Sequence, residues 1–93
     1  MAWGFISELS ITPAEYDQLN AEIRDDPAGL ILHTASQADG GIRIIDVWQS
    51  EADYRRFEEE QLMPAAGRLG WPAPDTPPPT TEFEIHNMRG SGA

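Results

Sequence analysis

The chain has 93 residues, a formal net charge of −10 and no cysteine. Its length fits one small domain, and the absence of cysteine excludes disulfides, thiolate nucleophiles and cysteine-bound metal clusters. The acidic balance disfavours nucleic acid and anionic membranes as partners, because both repel a negatively charged protein.

The first two predicted elements are a strand and a helix. Residues 3–9 alternate, with Trp3 and Phe5 on one face of a strand and Ile6 on the other. The helix start follows at residues 12–15, where a threonine N-cap, a proline at the first helical position and a glutamate three residues after the cap form a capping box. We expect the helix to continue to residues 25–27, Asp-Asp-Pro, because proline disfavours helical geometry in the residue before it.

Residues 30–35 and 42–48 flank Gly40-Gly41 and predict a β-hairpin that is apolar on both faces. A sheet with one wet face should alternate apolar and polar residues, whereas these two runs do not. In the first run Leu30 and Leu32 are predicted to point one way and Ile31 and Ala35 the other. In the second run one face carries Ile42, Ile44 and Trp48, and the reverse carries Ile45 and Val47. We therefore expect a second copy of the chain to cover the face that the helices leave open.

A second helix is predicted directly after the hairpin. Ser50 is its N-cap, with Asp53 three residues later. Pro64 predicts a kink near Met63, because proline cannot donate a helical hydrogen bond, and Gly70 predicts the end. The predicted buried stripe consists of Tyr54, Phe57, Leu62, Ala65 and Leu69.

The remaining segments are a proline-rich loop over residues 71–80, a strand over residues 81–88 and a flexible tail over residues 90–93. The order β-α-β-β-α-β predicts one α+β domain over residues 1–89. Its expected fold is a ferredoxin-like sandwich, a four-stranded antiparallel sheet with two helices on one face. Pairing of two such sheets across a two-fold axis would make a homodimeric α/β barrel.

The junction from Ile45 to Ala52, continuing to Tyr54 and Phe57, resembles the dimeric α/β-barrel superfamily. A wider pattern resembles small actinobacterial proteins of the antibiotic-biosynthesis-monooxygenase-like branch of this superfamily. It consists of Pro27, residues 29–33, Gly40-Gly41, Asp46 with Trp48, and residues 85–87. The resemblance implies that Trp48 lies at a pocket between sheet and helices. Haem-degrading members and many monooxygenase-like members carry a histidine on the second helix, nine or ten residues after this tryptophan, where this chain has Phe57 and Glu58. We therefore expect no haem, no other cofactor, and molecular oxygen as a possible co-substrate.

The candidate catalytic residues are two histidines and an aspartate. His33 and Asp46 interrupt apolar strands, and a turn centred on Asp39-Gly40 would place them across from each other or one residue out of register. A carboxylate beside an imidazole raises its pKa, which suits a general base. The pair could equally be a structural hydrogen bond, or its members could lie on opposite faces. His86 is the second candidate base; the two histidines lack metal-ligand spacing, so we expect no metal site.

A second set of residues could bind a flat, hydrophobic substrate, although aromatic side chains are more often core. Arg43 could neutralise a substrate anion or form a salt bridge at the rim. The candidate substrate-binding residues are Trp48, Tyr16, Tyr54, Phe57, Arg43 and Asn87.

The resemblance and these residues together lead us to expect a cofactor-independent enzyme of secondary metabolism. It would use histidine-assisted proton abstraction on an aromatic or polyketide-type substrate, as a monooxygenase. A cyclase or isomerase on the same scaffold and a non-catalytic ligand-binding or accessory dimer are the alternatives. No segment has the roughly 20 apolar residues of a membrane span, and no export signal is evident, so we expect a cytoplasmic location.

Overall fold

The computed structural model describes residues 2–73 and 76–90, and their elements follow the predicted order β-α-β-β-α-β. The strands are β1 (Trp3–Leu9), β2 (Leu30–Ala38), β3 (Gly41–Trp48) and β4 (Thr80–Glu84). They pair antiparallel in the spatial order β2-β3-β1-β4. This arrangement confirms the predicted ferredoxin-like α+β fold. The first helix is α1 (Pro13–Ala21), and the second consists of α2 (Glu51–Phe57), a π-helical turn (Glu58–Leu62) and α3 (Met63–Arg68).

The two faces of the sheet have different surroundings. The inner face carries the buried core residues Trp3, Phe5, Ile42, Ile44 and Trp48, against which the helices pack with Tyr16, Tyr54 and Phe57. The register of the sheet places five apolar residues on the reverse, here called the outer face: Ile6, Leu32, Ile45, Val47 and Phe83. Two of them are well exposed in the single chain, Ile6 at 37% and Leu32 at 49%.

A β-bulge in β2 changes which of its residues share a face. Leu30 pairs with Trp48, whereas Leu32 pairs with Val47, so Ile31 is an extra residue. One extra residue moves every following side chain to the opposite face. The prediction that Leu30 and Leu32 share a face is therefore wrong, since Leu30 packs against the core and Leu32 lies on the outer face.

The first helix begins as predicted but ends early. Thr12 accepts a hydrogen bond from the Glu15 backbone N–H, and the Glu15 carboxylate accepts one from the Thr12 N–H, which confirms the capping box. The helix ends at Ala21 and does not reach Pro27. Its last turn has no basic residue, and the C-cap residue Glu22 places a negative charge at the negative end of the helix dipole.

The second helix contains the predicted irregularity near Met63. Pro64 has no N–H to donate to the carbonyl four residues earlier, and just before it the Met63 N–H donates to the Glu58 carbonyl, five residues back. The predicted end is confirmed as well. Gly70 has φ of +76°, and its N–H donates to the Gly67 carbonyl while that of Trp71 donates to the Ala66 carbonyl.

The last strand is shorter than predicted, with β4 ending at Glu84 and not continuing to residue 88. Its partner β1 runs antiparallel and pairs Trp3 with Glu84, and just beyond this pair the Ala2 carbonyl accepts the Ile85 N–H. The predicted proline-rich loop lies partly outside the described residues, at 74–75, and so does the tail from residue 91 onward. No helix in residues 2–73 and 76–90 has the length and apolar character needed to cross a membrane.

Candidate functional site

A cavity of about 770 Å³ lies between the inner face of the sheet and the helices. Its walls combine aromatic and aliphatic side chains with a few polar groups, as in many small-molecule sites. The side of α1 that faces the sheet contributes Tyr16 and Leu19, and the sheet contributes His33, Asp46 and Trp48.

Four side chains on the wall of this cavity form one chain of hydrogen bonds. The Tyr16 hydroxyl lies 2.6 Å from His33 Nε2, and His33 Nδ1 lies 2.6 Å from Asp46 Oδ1. The second carboxylate oxygen of Asp46 accepts a hydrogen bond from Trp48 Nε1 at 3.1 Å. This Tyr16–His33–Asp46–Trp48 chain links helix α1 to both strands of the hairpin.

The hairpin register brings His33 and Asp46 together. β2 and β3 are joined by a two-residue turn at Asp39-Gly40, and Gly40 adopts φ of +80°. Counting back from this turn, His33 and Asp46 are directly paired across the two strands. Directly paired residues project to the same face of a sheet, here the inner one. The prediction left the register open by one residue, and the structure has the paired arrangement.

The hydrogen bonds determine the form of the imidazole that this geometry favours. Asp46 is only 4% exposed, and both its oxygens accept hydrogen bonds, so the proton between His33 and Asp46 belongs on Nδ1. In neutral His33, Nε2 is then an acceptor for the Tyr16 hydroxyl. The same arrangement orients the imidazole in serine hydrolases, where a buried aspartate holds Nδ1 and Nε2 takes a proton.

The surroundings shift the pKa of two members of this chain. The hydrogen bond to Asp46 raises the pKa of His33, and this effect outweighs the partial burial that lowers it. Burial raises the pKa of Tyr16, with further contributions from the negative charges of Asp46 and Asp17. His33 is therefore a stronger base than a free imidazole, while Tyr16 keeps its proton at neutral pH.

Three of the predicted substrate-binding aromatics, Trp48, Tyr54 and Phe57, line the cavity as a packed cluster. The ring centroid of Trp48 lies 5.5 Å from that of Tyr54 and 5.4 Å from that of Phe57. Trp48 is 1% exposed, so it serves mainly as core. Burial, together with the adjacent Glu58, raises the pKa of Tyr54 well above its usual range, so its hydroxyl stays neutral.

Arg43, His86 and Asn87 lie away from the cavity. Arg43 is on the outer side of the sheet, where its Nε donates to Glu8 at 2.8 Å, so it forms the salt bridge that was the alternative to an anion-binding role. His86 and Asn87 are exposed beyond the end of β4 and are not among the described residues that line the cavity. The predicted alternation over residues 81–88 assumed a strand that continues to residue 88, whereas β4 ends at Glu84.

Sequence reasoning missed the cluster of charges at the cavity. Arg55 donates to Glu51 and Glu82 and lies 3.6 Å from Glu58, and its guanidinium lies over the rings of Trp3 and Tyr54. The alternating pattern of β4 predicted that Glu82 and Phe83 lie on opposite faces of the sheet. It did not predict which of the two faces the helices, so the position of Glu82 at the cavity could not be predicted. The contact between Tyr16 and His33 was also missed, because no local pattern reports the distance from a helix to a strand.

The described residues contain no group of three His, Asp or Glu side chains arranged to hold a metal ion. His33 has only Asp46 as a nearby carboxylate partner in its hydrogen bonds, and Asp46 is already engaged with Trp48. The Tyr16, His33 and Asp46 side chains are arranged so that they could transfer a proton.

Comparison of the sequence with known proteins finds no family model that matches and no significantly similar curated protein. Comparison of the structure finds solved proteins of the same fold. A candidate antibiotic biosynthesis monooxygenase from Chloroflexus aurantiacus has a TM-score of 0.70 and 19% identity, over 97% of this chain and 98% of its own. A second, from Caulobacter crescentus, has a TM-score of 0.66 and 13% identity, over 92% and 91%. This chain thus has the ferredoxin-like fold of these monooxygenase-like proteins.

Proposed function

We propose that this protein is a cofactor-independent monooxygenase of secondary metabolism that acts on an aromatic or polyketide-type substrate. The observation that carries the proposal is the Tyr16–His33–Asp46–Trp48 chain on the wall of a largely apolar cavity. It supplies a base with a raised pKa next to space for a flat substrate. The monooxygenase-like fold supports the same reading, although a fold alone does not specify a reaction.

In the proposed reaction, His33 removes a proton from an acidic C–H or O–H group of the substrate. The proton reaches Nε2 directly when Tyr16 moves aside, or Tyr16 accepts it while passing its own proton to Nε2. Asp46 stabilises the imidazolium that results. The substrate carbanion then forms a C–O bond with O₂, and the imidazolium returns its proton to give a hydroperoxide. Cleavage of the O–O bond with loss of the second hydrogen on that carbon leaves one oxygen as a carbonyl of the product and releases the other as water.

A gas-exchange experiment tests the oxygenase step. The protein is mixed with an anthrone or a dihydroquinone under air and under argon, and the product is followed by absorbance and mass spectrometry. We expect turnover in air, with one ¹⁸O atom in the product under ¹⁸O₂, and none under argon. Equal turnover in both gases would contradict the oxygenase and assign a cyclase or isomerase.

A pair of histidine variants tests the proposed base. His33→Gln should lower kcat by roughly 10²-fold or more, since a positioned base contributes 10²–10⁴-fold. His86→Gln removes the other histidine, which lies away from the cavity, and should leave kcat within about twofold of the unmodified protein. The reverse result would move the base to His86.

A non-catalytic ligand-binding dimer is the second candidate, and one observation favours it. His33 Nε2 already has a partner in Tyr16, so the chain of hydrogen bonds is complete without a substrate. If the protein binds aromatic ligands but His33→Gln changes neither binding nor any turnover, the accessory role replaces the enzymatic one.

We further propose that two copies pair through their outer faces. Ile6 and Leu32 lie on this apolar surface and are 37% and 49% exposed in one chain. A second sheet, packed by two-fold symmetry, presents the same apolar residues in return. The β-barrel-like dimer would leave the cavity on the inner face of each copy.

A further inference from the structure

We infer that the cavity selects an uncharged aromatic ligand and rejects a carboxylate of the same shape. The inference rests on the proposed function only in taking this cavity as the place where the ligand binds. It concerns ligand charge, which neither the fold nor the hydrogen-bonded chain of Tyr16 and His33 specifies.

Negative charge dominates the described lining of the cavity. Four carboxylates and one guanidinium line it: Asp26, Asp46, Glu58, Glu82 and Arg55. A ligand carboxylate placed among them would meet like charges, which at low salt are only partly screened. The whole chain, at a formal net charge of −10, adds to this repulsion over longer distances.

The guanidinium of Arg55 is already neutralised by neighbouring carboxylates. It donates to Glu51 at 3.1 Å and to Glu82 at 3.2 Å, and it lies 3.6 Å from Glu58. It also lies over the rings of Trp3 and Tyr54. Binding a ligand anion would require Arg55 to give up some of these partners, so it offers little net attraction.

Two further candidates for binding an anion, His33 and Arg43, do not serve one either. Protonated His33 would be balanced by Asp46, 2.6 Å away. Arg43, a candidate for this role on sequence grounds, pairs with Glu8 on the other side of the sheet.

The same lining does suit an uncharged ligand with one polar group. Trp3, Phe5 and Leu30 supply apolar wall, and Tyr16 with His33 offers a hydroxyl and an imidazole at one point of it. A ligand hydroxyl, ketone or amide can exchange hydrogen bonds there without bringing charge into the cavity.

Calorimetric titration with 2-naphthamide and 2-naphthoate tests the inference, because the two probes match in shape and differ in charge. At neutral pH and low salt we expect the amide to bind at least about tenfold more tightly than the carboxylate. Added salt should narrow this ratio. In the double variant Glu58→Gln/Glu82→Gln, which removes two negative charges and leaves Glu51 as the one remaining carboxylate partner of Arg55 among the described residues, the ratio should fall to about threefold or less.

Glu8→Gln is the matched control, since it removes a carboxylate from an arginine pair on the far side of the sheet, and it should keep the original ratio. Naphthoate binding as tightly as naphthamide would overturn the inference, and so would an unchanged ratio in the double variant. If neither probe binds, the cavity is not a ligand site and the proposed function fails with it. Charge selection without any turnover of oxygenase substrates would instead contradict the proposed function alone.

Discussion

At the scale of single residues, Asp46 has the most consequential position. Its side chain is 6% exposed, and it accepts hydrogen bonds from His33 through one oxygen and from the Trp48 indole through the other. Buried carboxylates are tolerated when both of their oxygens have hydrogen-bond partners, as here. Asp46 therefore orients the imidazole and secures the largest fully buried side chain of the core.

Removal of Asp46 should destabilise the fold more than removal of the Tyr16 hydroxyl. Asp46→Ala leaves the Trp48 N–H buried without a partner, and we expect it to lower the free energy of unfolding by about 2–3 kcal/mol. Tyr16→Phe should cost less than about 1 kcal/mol, because water can reach His33 Nε2. Urea unfolding followed by circular dichroism measures both; equal losses would contradict the central position of Asp46.

The raised pKa of His33 makes stability depend on pH in a defined direction. The folded protein holds the His33 proton more tightly than the unfolded chain, so it binds more protons above the ordinary histidine pKa of 6.5. This contribution is full below pH 6.5 and is lost as the pH rises through the folded-state pKa.

We expect the His33 ring to titrate at higher pH in the unmodified protein than in Asp46→Asn, as followed by NMR of its Cε1–H signal. The contribution of His33 to the free energy of unfolding should decrease as the pH rises from 6.5 through the folded-state pKa of His33. In His33→Gln the free energy of unfolding should decrease less over the same pH interval. Identical His33 titration curves in the two proteins would show that Asp46 does not set the pKa.

At the scale of elements, helix α1 forms one wall of the cavity but is lightly anchored. None of its residues is buried, and its start depends on the reciprocal hydrogen bonds of Thr12 and Glu15. Tyr16 connects it to β2, and just beyond its end Glu22 pairs with Arg68 of α3 at 2.6 Å. A short helix held in this way depends on its cap more than a buried helix does.

Loss of the cap should therefore be seen first in α1. Thr12→Ala removes the side-chain acceptor and should cost about 1 kcal/mol, whereas Thr12→Ser keeps the oxygen and should cost only a few tenths. Hydrogen exchange should accelerate in the amides of α1 in the alanine variant and stay unchanged in β1 and β3. Uniform acceleration through the whole sheet would contradict a locally anchored helix.

At the scale of the whole molecule, the outer face of the sheet carries apolar residues that the single chain leaves partly exposed. It is apolar across several strands, yet the described helices pack on the other side. A contiguous apolar surface of this kind is uncommon on monomers and marks an interaction site. Its two-fold pairing with a second copy is the simplest cover, because it needs no other protein.

A charge on the outer face should separate the proposed dimer. We expect Leu32→Glu to elute in light-scattering chromatography near the 10.3 kDa formula weight, and the unmodified protein near twice that mass. Met63→Glu is the matched control, since Met63 is an exposed apolar residue of the second helix, at 64%, and should leave the dimer intact. A monomeric unmodified protein at micromolar concentration would overturn the proposed pairing.

The order of the elements, the starts of both helices and the end of the second helix could be predicted from the sequence, whereas the ends of α1 and β4 were placed too late. The capping box at Thr12, the Ser50 cap, the irregularity at Pro64 and the end at Gly70 all follow from local backbone chemistry, and local chemistry is readable from neighbouring residues. Where a boundary depended on a partner strand, as at the end of β4, local reading extended the strand too far.

Only the tertiary structure decided how the cavity is assembled. Three of its features depend on residues that are distant in the chain. They are the pairing of β2 with β3 around the bulge at Ile31, the contact between Tyr16 and His33, and the hydrogen bond from Arg55 to Glu82. Such contacts depend on how strands pair and where helices settle on the sheet, and these are set by packing of the whole core. The sequence could name His33 and Asp46 as candidates, whereas the folded sheet brought them together on one face.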